Sequence, residues 1–376
     1  MDRSPSASSS RADGAPLRGR IARLWRHPLL APLNDGAAWE RAAQLLRADF
    51  SLTEVRATVV GVEQHLPDLT SLWLRPNRRF RGFLPGQHLA LTLNVDGARQ
   101  SRCFSLSQAP RADGLLRLTI KRQPQGVVSA AAHALKVGQT VGLSQAQGRF
   151  AARPGDQPLL LISAGSGVTP MIAIVQGLVV KQPQRSLTLI HCGNSSSGIA
   201  CADELNDLAR QWPGLELILH DSACSGRLNP AQIAAYVPDW QQREALACGP
   251  SAFMAMVEQR YAGRLAQLQQ ERFGFVAAPV DPDAPQHKVR FGDPEQVFTA
   301  AAGQSLLNAA IAAGLQPRHG CGKGICRSCQ CRKRSGSVRN LLTNAISGNG
   351  EELIQLCIST PLSALDLDPQ PQGTNR

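Results

Sequence analysis

The chain has ten cysteines: Cys103, Cys192, Cys201, Cys224, Cys248, Cys321, Cys326, Cys329, Cys331 and Cys357. Four of them crowd into the positions from 321 to 331. Cys321-Gly-Lys-Gly-Ile-Cys326-Arg-Ser-Cys329, followed much later by Cys357, has the spacing C-x4-C-x2-C…C. Thiolates so spaced suit the irons and bridging sulfides of a 2Fe-2S cluster. Gly322 and Gly324 let the backbone curl, so that amide N–H groups can face the sulfurs and stabilise a negative cluster. A four-cysteine zinc site is the competing reading, but such sites usually pair two C-x2-C knuckles and only one is present here. Cys331, two positions beyond Cys329 on an expected strand, reads as a packed small residue and not as a ligand.

A second chemical motif is Ile162-Ser-Ala-Gly165-Ser-Gly167-Val-Thr169-Pro170. It follows an apolar run and opens a helical one. Glycines there let a pyrophosphate approach the backbone, and a helix N-terminus favours its charge. The turn lacks the third glycine of the usual dinucleotide fingerprint and has Pro170 at the helix start instead. By itself it is equally compatible with a purely structural strand-to-helix turn.

These motifs need elements to hold them. Short strand-like runs at Val55–Val62, Leu69–Leu74, His88–Val95, Cys103–Leu106, Leu115–Ile120 and Thr140–Leu143, broken by Gly, Pro and Asp, predict an antiparallel β-barrel. From Gln157 the rhythm changes. Apolar runs at Leu159–Ser163, Leu187–Cys192, Leu215–His220 and Glu244–Cys248 alternate with helical segments at 169–181, 201–211, 229–237 and 251–270, which predicts an α/β doubly wound parallel sheet. Ala277 to Gln286, rich in Pro and Asp, reads as a linker. Beyond it, a hairpin at Val289–Phe291 and Gln296–Thr299 and a helix at Ser305–Ala313 lead to the cysteine loop. The expected division is therefore an N-terminal extension (1–50), the barrel (51–153), the α/β domain (154–276), the linker (277–286) and a small α+β domain (287–376).

Composition agrees with a folded multidomain chain: 376 residues exceed one ordinary core, and 43% are hydrophobic against 18% charged. Forty Lys and Arg against 28 Asp and Glu give a net charge of +12, which suits an acidic partner, an anionic lipid or nucleic acid, or is simply solvated surface. The start is Ser-rich and polar, unlike a secretory signal, so a reducing cytoplasm is expected. The apolar stretch from Pro158 to Val180 is interrupted by Gly165, Gly167 and Pro170, and so reads as a strand and helix and not as a membrane span. The basic amphipathic piece from Arg20 to Leu33 suits either a strap on the barrel or peripheral contact with the inner face of a membrane. No recognition helix is evident, so nucleic acid is not an expected partner.

Arg102-Cys-Phe104-Ser105, Gly126-Val127-Val128-Ser129, Gly165 to Pro170 and Cys248-Gly249-Pro250, in this order, resemble the ferredoxin–NADP reductase superfamily. With the plant-type ferredoxin loop, the resemblance covers residues 52 to 368 and implies a single-chain reductase whose last domain is a β-grasp. It implies a flavin barrel in which Arg102 pairs with flavin phosphate, Phe104 stacks on the flavin and Ser105 lies near its N5. Gly126 to Ser129 would bind pyrophosphate. Gly165, Gly167, Thr169 and Pro170 would take the nicotinamide nucleotide, and Cys248, with Gly249 and Pro250, would line the nicotinamide pocket. The family usually has Tyr at the position of Phe104, so the stacking face is kept and a hydroxyl is lost.

For the nucleotide's 2′-phosphate the chain offers Ser195 and Ser196 beside Asn194 and Ser197, with Arg227 further on, which favours NADPH slightly over NADH. The loop before Ser129 resembles the FAD branch more than the FMN branch.

A hydride carries two electrons and the cluster takes one, so the expected order is NAD(P)H, FAD, 2Fe-2S, acceptor. Arg318, Lys323, Arg327, Arg332, Lys333 and Arg334 suggest a basic face around the cluster at which an acidic redox partner docks. Residues 29 to 110 resemble reductases serving membrane fatty-acid desaturases, which makes a desaturase the expected acceptor. A Rieske, di-iron or P450 oxygenase is the alternative, and an iron–sulfur redox sensor a remote one.

Overall fold

The computed structural model describes residues 40, 42–45, 47–95, 97–124, 126–272, 281, 283–292, 296–315, 317, 322, 324 and 329–369. The chain forms two compact units, Met1–Thr53 and Glu54–Arg376. In the first, Gln44 Nε2 donates to the carbonyl of Phe50 at 3.0 Å. The basic piece from Arg20 to Leu33 lies outside the described residues, as does half of the expected linker. Among the described residues no helix is long and apolar enough to cross a membrane.

The second unit begins with six antiparallel strands: β1 (Val55–Leu66), β2 (Leu69–Pro76), β3 (His88–Val95), β4 (Ala98–Ser105), β5 (Leu116–Lys121) and β6 (Thr140–Leu143). They run in the order β4-β3-β6-β1-β2-β5. Just past β4, the Ser107 N–H donates to the Arg117 carbonyl of β5 at 3.0 Å, which ties the two end strands together. Val55, Ala57 and Val59 alternate with more exposed residues and fill the interior with Leu72, Leu74, Leu89 and Leu118. That period of two makes β1 a half-buried strand. The helix Val127–His133 precedes β6.

Next comes a parallel sheet of β7 (Leu159–Ala164), β8 (Leu187–Gly193), β9 (Leu215–Asp221), β10 (Glu244–Gly249) and β11 (Leu268–Arg272), ordered β11-β10-β7-β8-β9. β7 and β10 are buried along nearly their whole length, as strands covered on both faces must be. Helices Val168–Lys181, Ala202–Gln211, Pro230–Tyr236 and Ser251–Arg260 make the crossovers. The stretch from Pro158 to Val180 is thus a strand and a helix. The helix expected over 251–270 stops at Arg260, and Gly263, at φ +76°, lies in the turn that follows. The chain then returns as edge strand β11, whose polar Leu-Gln-Gln-Glu-Arg sequence hides its role.

The last part contains β12 (Gln286–Phe291), β13 (Gln296–Ala301), β14 (Gln330–Ser335), β15 (Val338–Asn340), β16 (Ile346–Ser347), β17 (Glu352–Gln355), β18 (Ser359–Pro361) and β19 (Leu365–Pro369). Five form a mixed sheet, β13-β12-β19-β14-β17, with β12 and β19 parallel, and β16-β15-β18 form a small second sheet. The helix Leu306–Ala312 is capped by Ser305, whose hydroxyl accepts the Asn308 N–H at 3.2 Å. Leu306, Leu307 and Ala310 of this helix share a core with Val289, Phe298 and Leu367. A helix grasped by a mixed sheet is the expected α+β arrangement.

Candidate functional site

The carboxyl edge of the parallel sheet carries a row of polar residues. Glu271 of β11 is in register with Cys248 of β10, Cys248 with Ser163 of β7, and Ser163 with His191 of β8. All four are buried. The Ser163 hydroxyl and His191 Nδ1 lie 2.9 Å apart, and His191 Nε2 is 3.1 Å from the Ala200 carbonyl. Burial pushes His191 down to about 4, so its ring is neutral.

Glu271 also reaches the barrel. The Ser105 hydroxyl donates to Glu271 Oε2 at 3.4 Å, and His88 Nδ1 lies 2.8 Å from Oε1. His88 and Ser105 are register partners on β3 and β4. Two barrel residues therefore meet one carboxylate of the nucleotide sheet, whose register neighbour is Cys248. The sequence reading found Ser105 and Cys248 but missed His88 and Glu271. A signal did exist for His88, which directly follows Pro85-Gly86-Gln87.

The two glycine motifs of the sheet touch one another. A Cβ on Gly167 would lie 2.1 Å from the Cys248 carbonyl oxygen, and one on Gly249 would lie 2.7 Å from the Phe253 ring. A side chain at Gly167 would push the turn off β10, and one at Gly249 would displace the Phe253 ring. Gly165, at φ +54°, has nothing within 4 Å of its Cβ position, so this turn presents open backbone, as an approaching pyrophosphate requires. Thr169 and Pro170 are buried in the first helical turn, with the Thr169 hydroxyl donating to the Ser166 carbonyl at 3.0 Å. Cys248 is fully buried among core residues that include Val168 and Met171. Pro250 is the N-cap of the helix Ser251–Arg260.

On the barrel, Phe104 is half-buried against the interior, and Arg102 Nη1 donates to the Ser101 carbonyl at 2.9 Å. The Ser129 hydroxyl is held inside its own turn: it donates to the Gly126 carbonyl at 2.9 Å and accepts the Gln123 N–H at 3.1 Å. Gly126 caps the helix that starts at Val127 and Val128 with no side-chain cap, so no side chain of the cap residue satisfies the first backbone donors of this turn.

In the nucleotide loop the Ser195–Ser197 turn is capped by Asn194, whose Oδ1 accepts the Ser196 N–H at 2.9 Å. Asp221 Oδ1 accepts the Ser195 N–H at 3.0 Å and the Ala223 N–H at 2.9 Å. Hydrogen bonds from Ser195 and from the Ala223 N–H hold the Asp221 carboxyl well below the usual range. Arg227 is exposed two residues after the Ser222–Ser225 turn, which packs on the serine turn.

Of the cluster ligands, Cys329 and Cys357 are buried in one core, while Cys321 and Cys326 lie outside the described residues. The Gly324 N–H points at Cys357 Sγ at 3.2 Å, and a Cβ on Gly324 (φ +76°) would lie 2.7 Å from Ile358. An amide aimed at a thiolate is what a negative iron–sulfur cluster needs, so these residues fit the group. Cys331 is 1% exposed in the core, the packed residue expected.

Of the six residues of the expected basic face, three are described, and each is engaged within its own domain. Arg318, Lys323 and Arg327 lie outside the described residues. Lys333 is fully buried and donates to the carbonyls of Gly348 at 2.6 Å and Gly350 at 2.5 Å. Arg332 pairs with Glu351 at 2.9 Å and Arg334 with Asp368 at 2.8 Å. Strand alternation sends the arginines outward to carboxylates and the lysine inward.

Known proteins share the domains of this chain. Residues 62–151 match the family model described as Oxidoreductase FAD-binding domain, 161–259 the Oxidoreductase NAD-binding domain and 291–361 the 2Fe-2S iron-sulfur cluster binding domain. A protein named NADPH oxidoreductase from Mycobacterium tuberculosis (strain ATCC 25618 / H37Rv) is 32% identical over 327 residues, 85% of this chain and 85% of that protein. The glycine betaine monooxygenase reductase subunit of Pseudomonas aeruginosa (strain UCBPP-PA14) is 28% identical over 319 residues, 76% of this chain and 87% of that one. The solved structure of phthalate dioxygenase reductase has the same fold, with TM-score 0.54 at 21% identity, covering 84% of this chain and 98% of that one. The chain belongs to the ferredoxin–NADP reductase superfamily, as an oxidoreductase with FAD-binding, NAD-binding and C-terminal 2Fe-2S domains. It carries electrons from NAD(P)H through FAD to the cluster.

Proposed function

We propose that this chain is the reductase component of an oxygenase system and passes single electrons from its cluster to a separate oxygenase protein. The observation that carries this reading is the shared order of flavin, nucleotide and cluster domains with a relative named as a monooxygenase reductase subunit, along 87% of that relative's length. This supports the oxygenase alternative better than the desaturase reading.

The residues divide the work by position. Arg102, Phe104 and the Gly126-Val127-Val128-Ser129 turn hold the flavin. Gly165 and the helix start that follows it take the nucleotide's phosphates. Ser105 and Glu271 flank the place where nicotinamide meets flavin, and Cys248 with Gly249 and Pro250 forms its wall. Bound there, the flavin converts a two-electron hydride donor into one-electron deliveries. Cys321, Cys326, Cys329 and Cys357 hold the cluster that receives them. Ser195, Ser196 and Arg227 favour a 2′-phosphate, while the ionised Asp221 opposes one.

The test is reconstitution. The purified chain, titrated anaerobically with NADPH and with NADH, should show flavin and cluster bands that bleach in turn. With the oxygenases of the same organism it should support substrate-dependent O2 consumption. Turnover only with a membrane acyl desaturase would replace the oxygenase reading by the desaturase one. Absence of flavin bands would remove both.

A further inference from the structure

His88 is an unusual residue to find at the seam between flavin barrel and nucleotide sheet. Its ring is nearly out of solvent, with side-chain exposure of 9% against 6% for Glu271. Nδ1 lies 2.8 Å from Glu271 Oε1, yet neither ring nitrogen has an aligned hydrogen bond among the described residues. The contact is therefore a close polar approach whose hydrogen-bond geometry is incomplete. Catalytic contacts of unloaded enzymes often have this character and tighten in the working complex.

The ring is wedged from behind. The His88 and Gln147 backbones exchange hydrogen bonds at 3.0 and 2.8 Å, and a Cβ on Gly148 would lie 3.1 Å from both Cε1 and Nδ1. Its strand neighbour is Ser105, and the strand neighbour of Glu271 is Cys248. One carboxylate thus spans the seam, with Oε1 facing His88 and Oε2 accepting from Ser105.

We propose that His88 is a positioning residue for hydride transfer, acting through Glu271: it sets the carboxylate against Ser105 and so fixes the register of the two domains where nicotinamide meets flavin. This rests on the site reading given above. His88 touches no reacting atom in this role. A carboxylate displaced by an ångström would misplace the ring it flanks, and misplacement on that scale costs rate steeply.

The experiment is a double-mutant cycle on the full-length protein as purified, with His88→Ala, His88→Gln, Glu271→Gln and the double variant His88→Ala/Glu271→Gln. Stopped-flow flavin bleaching by NADPH or NADH gives the first-order step and its half-saturating concentration, and thermal unfolding gives a midpoint independent of turnover. His88→Ala and Glu271→Gln should each slow the first-order step about tenfold or more with half-saturation little changed. The double variant should be no slower than Glu271→Gln alone, because His88 acts through that carboxylate. His88→Gln, which can still donate to it, should recover part of the rate and guards against a misfolded alanine variant. The midpoint losses should be non-additive in the same way. Full additivity in rate and midpoint, or wild-type behaviour of His88→Ala, would overturn the proposal. If wild-type flavin is not bleached by either nucleotide, the proposed function fails, while the midpoint cycle on the same samples still decides whether His88 and Glu271 are coupled.

Discussion

Arg185 Nη2 lies 3.2 Å from Glu244 Oε2, with the two side chains only 1% and 2% exposed. The same carboxylate accepts the Arg153 N–H at 3.0 Å and Gln269 Nε2 at 2.7 Å, while Arg185 also donates to the carbonyls of Gln157 and Arg153. Glu244→Ala leaves a buried cation without its counter-charge and should cost about 3–5 kcal/mol. The paired replacement Arg185→Met/Glu244→Leu should cost clearly less. Thermal unfolding of both variants checks this, and equal losses would contradict it.

His191 supplies a pH dependence. Its folded pKa of about 4 lies below the ordinary value of 6.5, so the unfolded chain takes up the proton first as pH falls. Stability is therefore fullest above pH 6.5 and declines through the window down to pH 4, by about 3 kcal/mol at its full extent. Below that window both states are protonated and the slope ends. Unfolding midpoints between pH 4 and 7.5 should fall less steeply for His191→Asn than for the wild type, and parallel acid limbs would count against this account.

Lys333 separates a structural lysine from a docking one. Lys333→Met strands the carbonyls of Gly348 and Gly350 and should destabilise the ferredoxin part by about 1–3 kcal/mol. It should leave the salt dependence of electron delivery to a protein acceptor unchanged. A variant of normal stability whose delivery at low salt is weakened would instead restore Lys333 to a docking face.

Asp221 bears on nucleotide choice. An ionised carboxylate fixed to the Ser195 N–H favours a ribose hydroxyl and repels a 2′-phosphate. Asp221→Asn should raise kcat/KM for NADPH relative to NADH by about five- to tenfold, the modest size expected for one charge at a solvent-exposed site. An unchanged ratio would place the adenosine ribose elsewhere.

Much of this was legible in the sequence because the signals are local. Leu159 to Ile162 is a continuous apolar run, as a strand covered on both faces permits. The cysteine spacing is local too, and Cys329 and Cys357 do share a core. What escaped depends on alternation and on tertiary meetings. In the run Arg332-Lys333-Arg334 three like charges look like one surface, whereas on β14 the middle one must face inward. Leu268 to Arg272 is polar because it is an edge strand, so its pattern does not declare a sheet. His88 and Glu271 come from strands of different domains, and no spacing rule connects them.

The contacts between barrel and nucleotide sheet also determine how such a chain can be recombined. Arg117 Nη2 pairs with Glu204 Oε1 at 2.7 Å, the Ala109 N–H donates to Gln176 Oε1 at 3.0 Å, and Ser105 donates to Glu271. Each contact joins a residue of one fold to a residue of the other, while the cysteine-bearing part has a core of its own. A chimera that exchanges the ferredoxin part should inherit a working donor, whereas one cut between Leu143 and Leu159 must rebuild charge pairs that neither parent half carries alone. In evolutionary terms the heritable module is the barrel and nucleotide sheet together, with the iron–sulfur part as the exchangeable cassette.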